Sequence, residues 1–82
     1  MKLDYARDLL QLGALERAEV RAPFLKFEGW TVEFGLAGGK TPNCSTLLET
    51  AKGETREFKT LDAAARALDQ IGFRRFTVIQ GD

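Results

Sequence analysis

The chain has 82 residues, of which 44 % are hydrophobic, and its twelve basic side chains are balanced by twelve acidic ones. This size favours one domain with a single small core, and the apolar content excludes an intrinsically disordered chain. The zero net charge excludes a general attraction to nucleic acid or to an anionic membrane, although it allows a local charged patch.

The residue types that support catalysis are scarce. The sequence contains no histidine and only one cysteine, Cys44. Histidine is the commonest general base and metal ligand, so its absence excludes Ser/His and Cys/His nucleophiles within the chain. The carboxylates lack the paired or clustered spacing that acid–base catalysis or metal binding needs. We therefore predict a non-enzymatic protein with no metal and no other cofactor.

Three features predict the cellular compartment. A single cysteine cannot form an intrachain disulfide, which agrees with a reducing environment. The first ten residues include acids where a signal peptide has an uninterrupted apolar core. No apolar run is long enough for a membrane span. We expect a cytoplasmic protein with no membrane partner.

The stretch GLAGGKT, residues 35–41, lies one residue away from the phosphate-binding pattern G-x-x-x-x-G-K-[ST]. That pattern needs a glycine where Phe34 stands and a helix after the lysine, whereas Pro42 and Asn43 indicate a turn. We predict a glycine-rich connection that binds no nucleotide. A reactive role for Cys44 in this loop would need a histidine or a second cysteine as its partner.

The first third of the chain predicts a helix followed by a strand. The apolar residues between Leu3 and Leu12 cover half of a helical wheel, and Gly13 is the expected stop. This arc is wider than contact with one sheet requires, so part of it is available to a second copy or another protein. A first strand is expected between Ala18 and Phe27, with a bend, bulge or edge position at Pro23.

The middle of the chain predicts an antiparallel meander. WTVEFGL, residues 30–36, alternates apolar and small or polar residues, as in a half-buried strand. STLLET, residues 45–50, is the expected third strand, and a turn at Lys52 and Gly53 leads to a short fourth strand at 56–58. Trp30 is in phase with the inward residues, which favours a core position over a partner hot spot.

The last third predicts a helix and a closing strand. Thr60 is a suitable N-cap for a helix from Leu61 to Ile71, and Gly72 is suited to its end, with Phe73 packing back on the last turn at Leu68. RRFTVIQ, residues 74–80, then forms a strand with two inward residues. Those residues are Phe76 and Val78.

These elements define one α+β domain over residues 1–82, in the order α-β-β-β-β-α-β. We expect a mainly antiparallel sheet with both helices on one face.

A local set of cations is the candidate contact for phosphates or for a partner. It comprises Lys59, Arg66, Arg74 and Arg75, with Arg56 nearby. In the alternative interpretation, Arg66 pairs with Asp62 at i, i+4, and the two adjacent arginines are solvated charges beside an edge strand. The neutral net charge favours this alternative.

REFKTLDAAARALDQIGFRRFTVI, residues 56–79, resembles the end of the small ParC-like, partition-associated accessory proteins of plasmids and integrative elements. An aromatic residue precedes a Thr-Leu-Asp-Ala-Ala helix start, and a glycine and a closing strand follow the helix. An opening helix that ends in L-x-L-G-A-L, residues 10–15, is also similar. The resemblance covers about half of the chain. It implies a cytoplasmic bacterial protein that helps a mobile element to persist by binding partition proteins or their DNA complex. The matched residues are Phe58, Thr60 to Ala64, Gly72 and Phe76 to Ile79.

The order of helix, antiparallel strands and alanine-rich helix also resembles that of a double-stranded-RNA-binding domain. That family has lysines at the start of its second helix, where they hold phosphates. This chain has Leu61 and Asp62 there and adds a C-terminal strand, which counts against that analogy.

We therefore predict an accessory or adaptor protein of a mobile genetic element that acts by protein contact. A partition protein or a second copy of the chain is the expected partner. Two alternatives stay open. One is a nucleic-acid-binding module that uses Arg66, Arg74 and Arg75, and the other is a phage- or plasmid-borne inhibitor of a host protein.

Overall fold

The computed structural model describes residues 1–24, 26–39 and 46–80. These residues form an α+β fold of two helices and a three-stranded sheet, which confirms the predicted class. In chain order the elements are α1 (Leu3–Gln11), β1 (Leu15–Arg21), β2 (Thr31–Leu36), a 3-10 turn (Ala37–Gly39), α2 (Leu61–Ile71) and β3 (Thr77–Ile79).

The sheet is mixed, with strand order β2-β1-β3. β1 pairs antiparallel with β2, which places Val20 opposite Val32, and parallel with β3, which places Val20 opposite Val78. The expected antiparallel arrangement is therefore correct for only one of the two pairs. β1 and β3 are separated in the chain by β2 and α2, and parallel neighbours need such a long connection in place of a tight turn.

The core lies between the two helices and one face of the sheet. Both helices contribute to the same cluster of buried residues, so both cover the same face. Several of these residues are alanines, which let the helix backbones approach the strands closely. The fully or almost fully buried residues include Ala6 from α1, Ala64, Ala67 and Leu68 from α2, and Ala18, Val20, Val32 and Phe34 from the sheet.

Helix α1 ends at the predicted glycine. Gly13 has φ 76°, a backbone conformation that residues other than glycine rarely adopt. Its N–H donates to Leu10 C=O at 3.0 Å, and Ala14 N–H donates to Leu9 C=O at 2.8 Å. These two hydrogen bonds are those of a Schellman motif, and they turn the chain directly into β1.

Helix α2 has the predicted bounds and the predicted caps. The side chain of Thr60 accepts a hydrogen bond from Ala63 N–H at 3.1 Å. At the other end, Gly72 has φ 120°, and Phe73 N–H donates to Leu68 C=O at 3.0 Å. The Phe73 ring also stacks on Phe34 of β2, with ring centroids 5.9 Å apart, so the end of this helix is fixed to the sheet.

β1 lies earlier in the chain than predicted. It spans Leu15–Arg21 instead of lying between Ala18 and Phe27, and it ends two residues before Pro23. Proline cannot donate to a sheet ladder, which fits an end at this point. Phe24 and Phe27 exchange backbone hydrogen bonds with each other in a local turn.

The predicted third and fourth strands are not present as strands. The 46–58 segment forms single bridges instead, along the outer edge of β2 and across its own turn. The bridges join Glu33 to Leu47, Trp30 to Phe58 and Glu49 to Thr55.

Competition for backbone groups explains why this segment forms no regular strand. Leu48 N–H donates to Val32 C=O at 2.8 Å, and Leu48 C=O accepts from Arg56 N–H at 2.8 Å. Glu49 N–H donates to Met1 C=O at 2.7 Å. The segment therefore divides its hydrogen bonds among β2, its own returning arm and the start of the chain. No single partner runs beside it for long enough to build a ladder.

The predicted closing strand is shorter than expected. It covers Thr77–Ile79 rather than residues 74–80. Phe76 packs against the core, and Val78 is opposite the buried Val20, in agreement with the predicted inward positions.

Replacement of Thr60 by alanine tests the N-cap of α2. The substitution removes the side-chain acceptor for Ala63 N–H, so we expect the free energy of unfolding to fall by about 1 kcal/mol. In a domain of this size that loss lowers Tm by roughly 4–8 °C. Urea and thermal unfolding followed by circular dichroism measure both. Thr60→Ser keeps the acceptor and should retain most of the stability. Equal losses in the two variants would contradict the capping role.

Candidate interaction surfaces

The four predicted contact residues are all exposed. Lys59 precedes α2, whereas Arg74 and Arg75 follow it, and this helix of 11 residues separates the two groups by roughly 16 Å. Arg66 lies in the middle of the helix. Within the described part of the chain, none of the four forms an ion pair with a carboxylate. The structure thus brings together only the two consecutive arginines.

The alternative interpretation is right that Arg74 and Arg75 are exposed beside an edge strand, β3, but wrong about the pairing of Arg66. Arg66 and Asp62 are both described, and no ion pair joins them. Arg56, the fifth cation of the predicted set, lies over the Phe58 ring, with its guanidinium carbon 5.0 Å from the centroid. The ring contact makes Arg56 part of the packing around the 46–58 segment.

Of the two other candidate residues, Trp30 and Cys44, the structure describes only Trp30. Trp30 is partly buried and packs against the core, and its backbone exchanges hydrogen bonds of 2.7 and 2.8 Å with Phe58. These contacts agree with the core interpretation of Trp30. Cys44 lies outside the described residues, as do Lys40 and Thr41 of the glycine-rich stretch.

The outer face of the sheet, opposite the helices, is polar and largely neutralised. Glu19 and Glu33 are directly opposite each other on β1 and β2. Arg21 lies between them, with its guanidinium nitrogen 3.5 Å from a Glu19 oxygen and 3.3 Å from a Glu33 oxygen. The Thr46 hydroxyl donates to the other Glu33 oxygen at 2.9 Å.

This outer face is unsuited to nucleic acid. Single-stranded RNA and DNA are bound by sheets that present aromatic rings for stacking and cations for phosphates. The outward positions of the described strands carry no aromatic side chain, and one arginine is shared between two carboxylates. Those positions are Arg17, Glu19, Arg21, Glu33, Gly35, Thr77 and Ile79, together with Thr31, which is buried.

Helix α1 exposes an apolar stripe, which we call the α1 flank. It consists of Tyr5, Leu9 and Leu12, which lie within about 60° of one another on the helix surface. Tyr5 is 50 % exposed and Leu12 is 80 % exposed, whereas Leu9 is partly buried. The sequence predicted that the apolar arc was wider than the core needs. The spacing i, i+4, i+7 is the signal that identifies these three residues.

The α1 flank points away from α2. The other side of α1 meets that helix, where Arg7 Nε donates to Gln70 C=O at 3.3 Å. Leu10 lies close to Gly72 on the same side, and a β-carbon added at Gly72 would be 3.2 Å from it. α2 therefore leaves the α1 flank uncovered.

Shallow depressions on the described surface offer little to a small molecule. One, of about 260 Å³, is lined by Glu28, Gly29, Glu57, Phe58 and Lys59. In it the Glu57 carboxylate already accepts hydrogen bonds from Glu28 N–H and Gly29 N–H, at 2.8 and 2.9 Å. The volume is below the roughly 300 Å³ at which ligand pockets begin. Within residues 1–24, 26–39 and 46–80, no group of three or more acidic or cysteine side chains is placed to hold a metal ion.

Neither α1 nor α2 is long and apolar enough to cross a lipid bilayer.

The ion network on the sheet predicts how Arg21→Ala behaves. Removal of the guanidinium leaves Glu19 and Glu33 facing each other across the strands, so we expect a loss of about 0.5–1.5 kcal/mol in the free energy of unfolding. Because all three side chains are partly exposed, the loss should shrink when NaCl rises from about 20 to about 500 mM. Urea unfolding at both concentrations measures it.

Arg17→Ala is the matched control for that measurement. Arg17 lies on the same face of β1, with its side chain across Gly35, and forms no ion pair with a described residue. Its replacement should show little dependence on salt. A loss for Arg21→Ala that is independent of salt would contradict the proposed charge relief.

Comparison with known proteins leaves the resemblance to partition-associated accessory proteins as a prediction from the sequence. No protein-family model, no curated protein and no solved structure matches this chain.

Proposed function

We propose that this protein is a non-enzymatic accessory protein that binds a protein partner through the α1 flank. The observation that carries the proposal is the exposure of two large apolar side chains, Tyr5 at 50 % and Leu12 at 80 %, on the same side of one helix. Covering such a surface lowers the free energy of the system by about 25 cal/mol for each Å² of apolar area buried. A partner supplies the cover that α2 does not.

The surroundings of the α1 flank support a protein partner. Exposed polar residues border the stripe, with Lys2 and Asp8 beside it. An apolar centre with a polar margin is the usual composition of a protein–protein interface. Tyrosine is also among the residues enriched at the energetic centres of interfaces. A helix that presents anchors at i, i+4 and i+7 fits a groove or a second helix.

Maintenance of a mobile genetic element is the process that we propose for this contact, on the basis of the resemblance of residues 56–79 to partition-associated accessory proteins. A partition protein or a second copy of the chain is then the partner. Inhibition of a host protein by a phage- or plasmid-borne factor requires the same kind of surface, and the identity of the partner separates these two roles.

A nucleic-acid-binding module is the second candidate. The observation in its favour is that Arg66, Arg74 and Arg75 are exposed and form no ion pair within the described part of the chain. Fluorescence anisotropy with labelled duplex DNA and duplex RNA, at about 50 and about 200 mM salt, tests this candidate. Binding that weakens steeply with salt and is lost in the double variant Arg74→Ala with Arg75→Ala would favour it.

Photo-crosslinking tests the α1 flank directly. We expect a p-benzoylphenylalanine placed at position 12 to form one discrete adduct in host cells, because Leu12 lies in the proposed contact. Position 69 of α2 is the matched control, since Asp69 is equally a solvent-facing helical position, and it should give no such adduct. Mass spectrometry identifies the partner, and sedimentation of the purified protein detects self-association.

Substitution provides the complementary test of the same flank. Leu12→Ser should abolish co-purification of the crosslinked partner while changing the free energy of unfolding by no more than about 0.5 kcal/mol, because the side chain is largely exposed. Gln11→Ser, one residue away on the polar side of α1, should leave co-purification intact. Identical adducts at positions 12 and 69, or undiminished co-purification of the Leu12→Ser variant, would refute the proposal.

A further inference from the structure

Strand β3 has one open edge. It lies at the end of the order β2-β1-β3, and no described residue pairs with its outer side. Ala22 N–H donates to Ile79 C=O at 2.9 Å, so the Ile79 backbone faces β1. Backbone groups of successive strand residues point to opposite sides, which directs the Val78 N–H and C=O away from the sheet. These groups are a template for another strand.

β3 lacks the devices that usually block such an edge. Proteins protect exposed edges with prolines, bulges, charges within the strand or a covering segment. Thr77–Ile79 contains no proline and no charge, and its register with β1 is regular over all three residues. All three residues are also of the types that favour strands. The edge is short but competent to pair.

Two arginines precede this edge in the sequence, with Phe76 between them and the strand. Arg74 and Arg75 are exposed, and neither forms an ion pair with a described carboxylate. Arg21, on the neighbouring strand β1, instead lies close to two carboxylates. Among the described residues, no carboxylate competes with an incoming segment for Arg74 and Arg75.

We infer that β3 accepts an extended acidic segment of a partner protein as an additional strand. The Val78 N–H and C=O supply the main-chain hydrogen bonds, and Arg74 and Arg75 select carboxylates on the incoming segment. An antiparallel approach, the commoner arrangement, brings the C-terminal end of that segment beside the two arginines. This surface is distinct from the α1 flank, so the inference goes beyond the proposed function and does not depend on it.

The backbone edge is what favours a peptide over nucleic acid. Arginines alone would serve a phosphate chain as well as a carboxylate. A nucleic-acid backbone, however, cannot supply the alternating N–H and C=O groups that pair with Val78.

A set of three labelled peptides tests the inference. The probe is a fluorescein-labelled octapeptide of alternating valine and threonine that ends in two glutamates. The second peptide ends in two lysines instead, and the third repeats the first with every backbone amide N-methylated, so that neither of its edges can donate to a ladder. We expect the glutamate peptide to bind at least about fivefold more tightly than either control in fluorescence anisotropy.

Amide hydrogen exchange locates the binding. We expect the Val78 amide to become protected when the glutamate peptide is added, because its N–H then donates to the incoming strand. The double variant Arg74→Glu with Arg75→Glu should reverse the preference toward the lysine peptide. Arg66→Glu changes another exposed arginine, on α2, that forms no ion pair with a described carboxylate, and it should leave the preference unchanged. Thermal unfolding of each variant verifies that it is folded.

Three results would overturn the inference. These are equal affinity for the glutamate and lysine peptides, an unchanged exchange rate at Val78, and salt-dependent binding of duplex DNA or RNA with no peptide binding. None of them affects the crosslink expected at position 12, so a failure here is distinguishable from a failure of the proposed contact at the α1 flank.

Discussion

The structure depends on β1, because it is the strand that meets both other strands and both helices. Its hydrogen bonds run on one side to β2 and on the other to β3. Its central inward residues, Ala18 and Val20, are small and almost fully buried, and both helices contact this strand. A larger residue at Ala18 would push the helices outward and loosen the core as a whole, since interiors tolerate added volume poorly.

The parts of the fold that the sequence predicted correctly are those with local causes. α2 has its predicted bounds because Thr60 caps one end and Gly72 permits the left-handed turn at the other. Gly13 ends α1 for the same reason. The limits of β1 were wrong because a register shift between Leu15 and Arg17 places two exposed polar residues, Glu16 and Arg17, in succession, which interrupts the alternation expected of a strand. The prediction of strands at 45–50 and 56–58 was wrong because the strand-like residues of the 46–58 segment divide their hydrogen bonds among three partners. Such competition is visible only in three dimensions.

The candidate surfaces also combine features that the sequence predicted with features that it did not. Exposure of Arg66, Arg74 and Arg75 followed from their charge, and an excess of apolar surface on α1 followed from its wide arc. The particular residues of the α1 flank did not follow, because the sequence does not indicate which side of α1 meets α2. The contact between Arg7 and Gln70 decides that question. The Glu19, Arg21 and Glu33 network likewise required the register of β1 against β2.

A three-stranded sheet has two outer edges, and the described chain covers only one of them. Along β2 the 46–58 segment supplies hydrogen bonds to Val32 and Phe34, although it forms no regular strand. The outer edge of β3 has no such cover, and its three residues are good strand formers with no built-in block. A charge inside β3 would have closed that edge at little cost. The nearest described charges along the sequence are Arg74 and Arg75, before the strand, where they set the chemistry of an incoming segment and leave the ladder free.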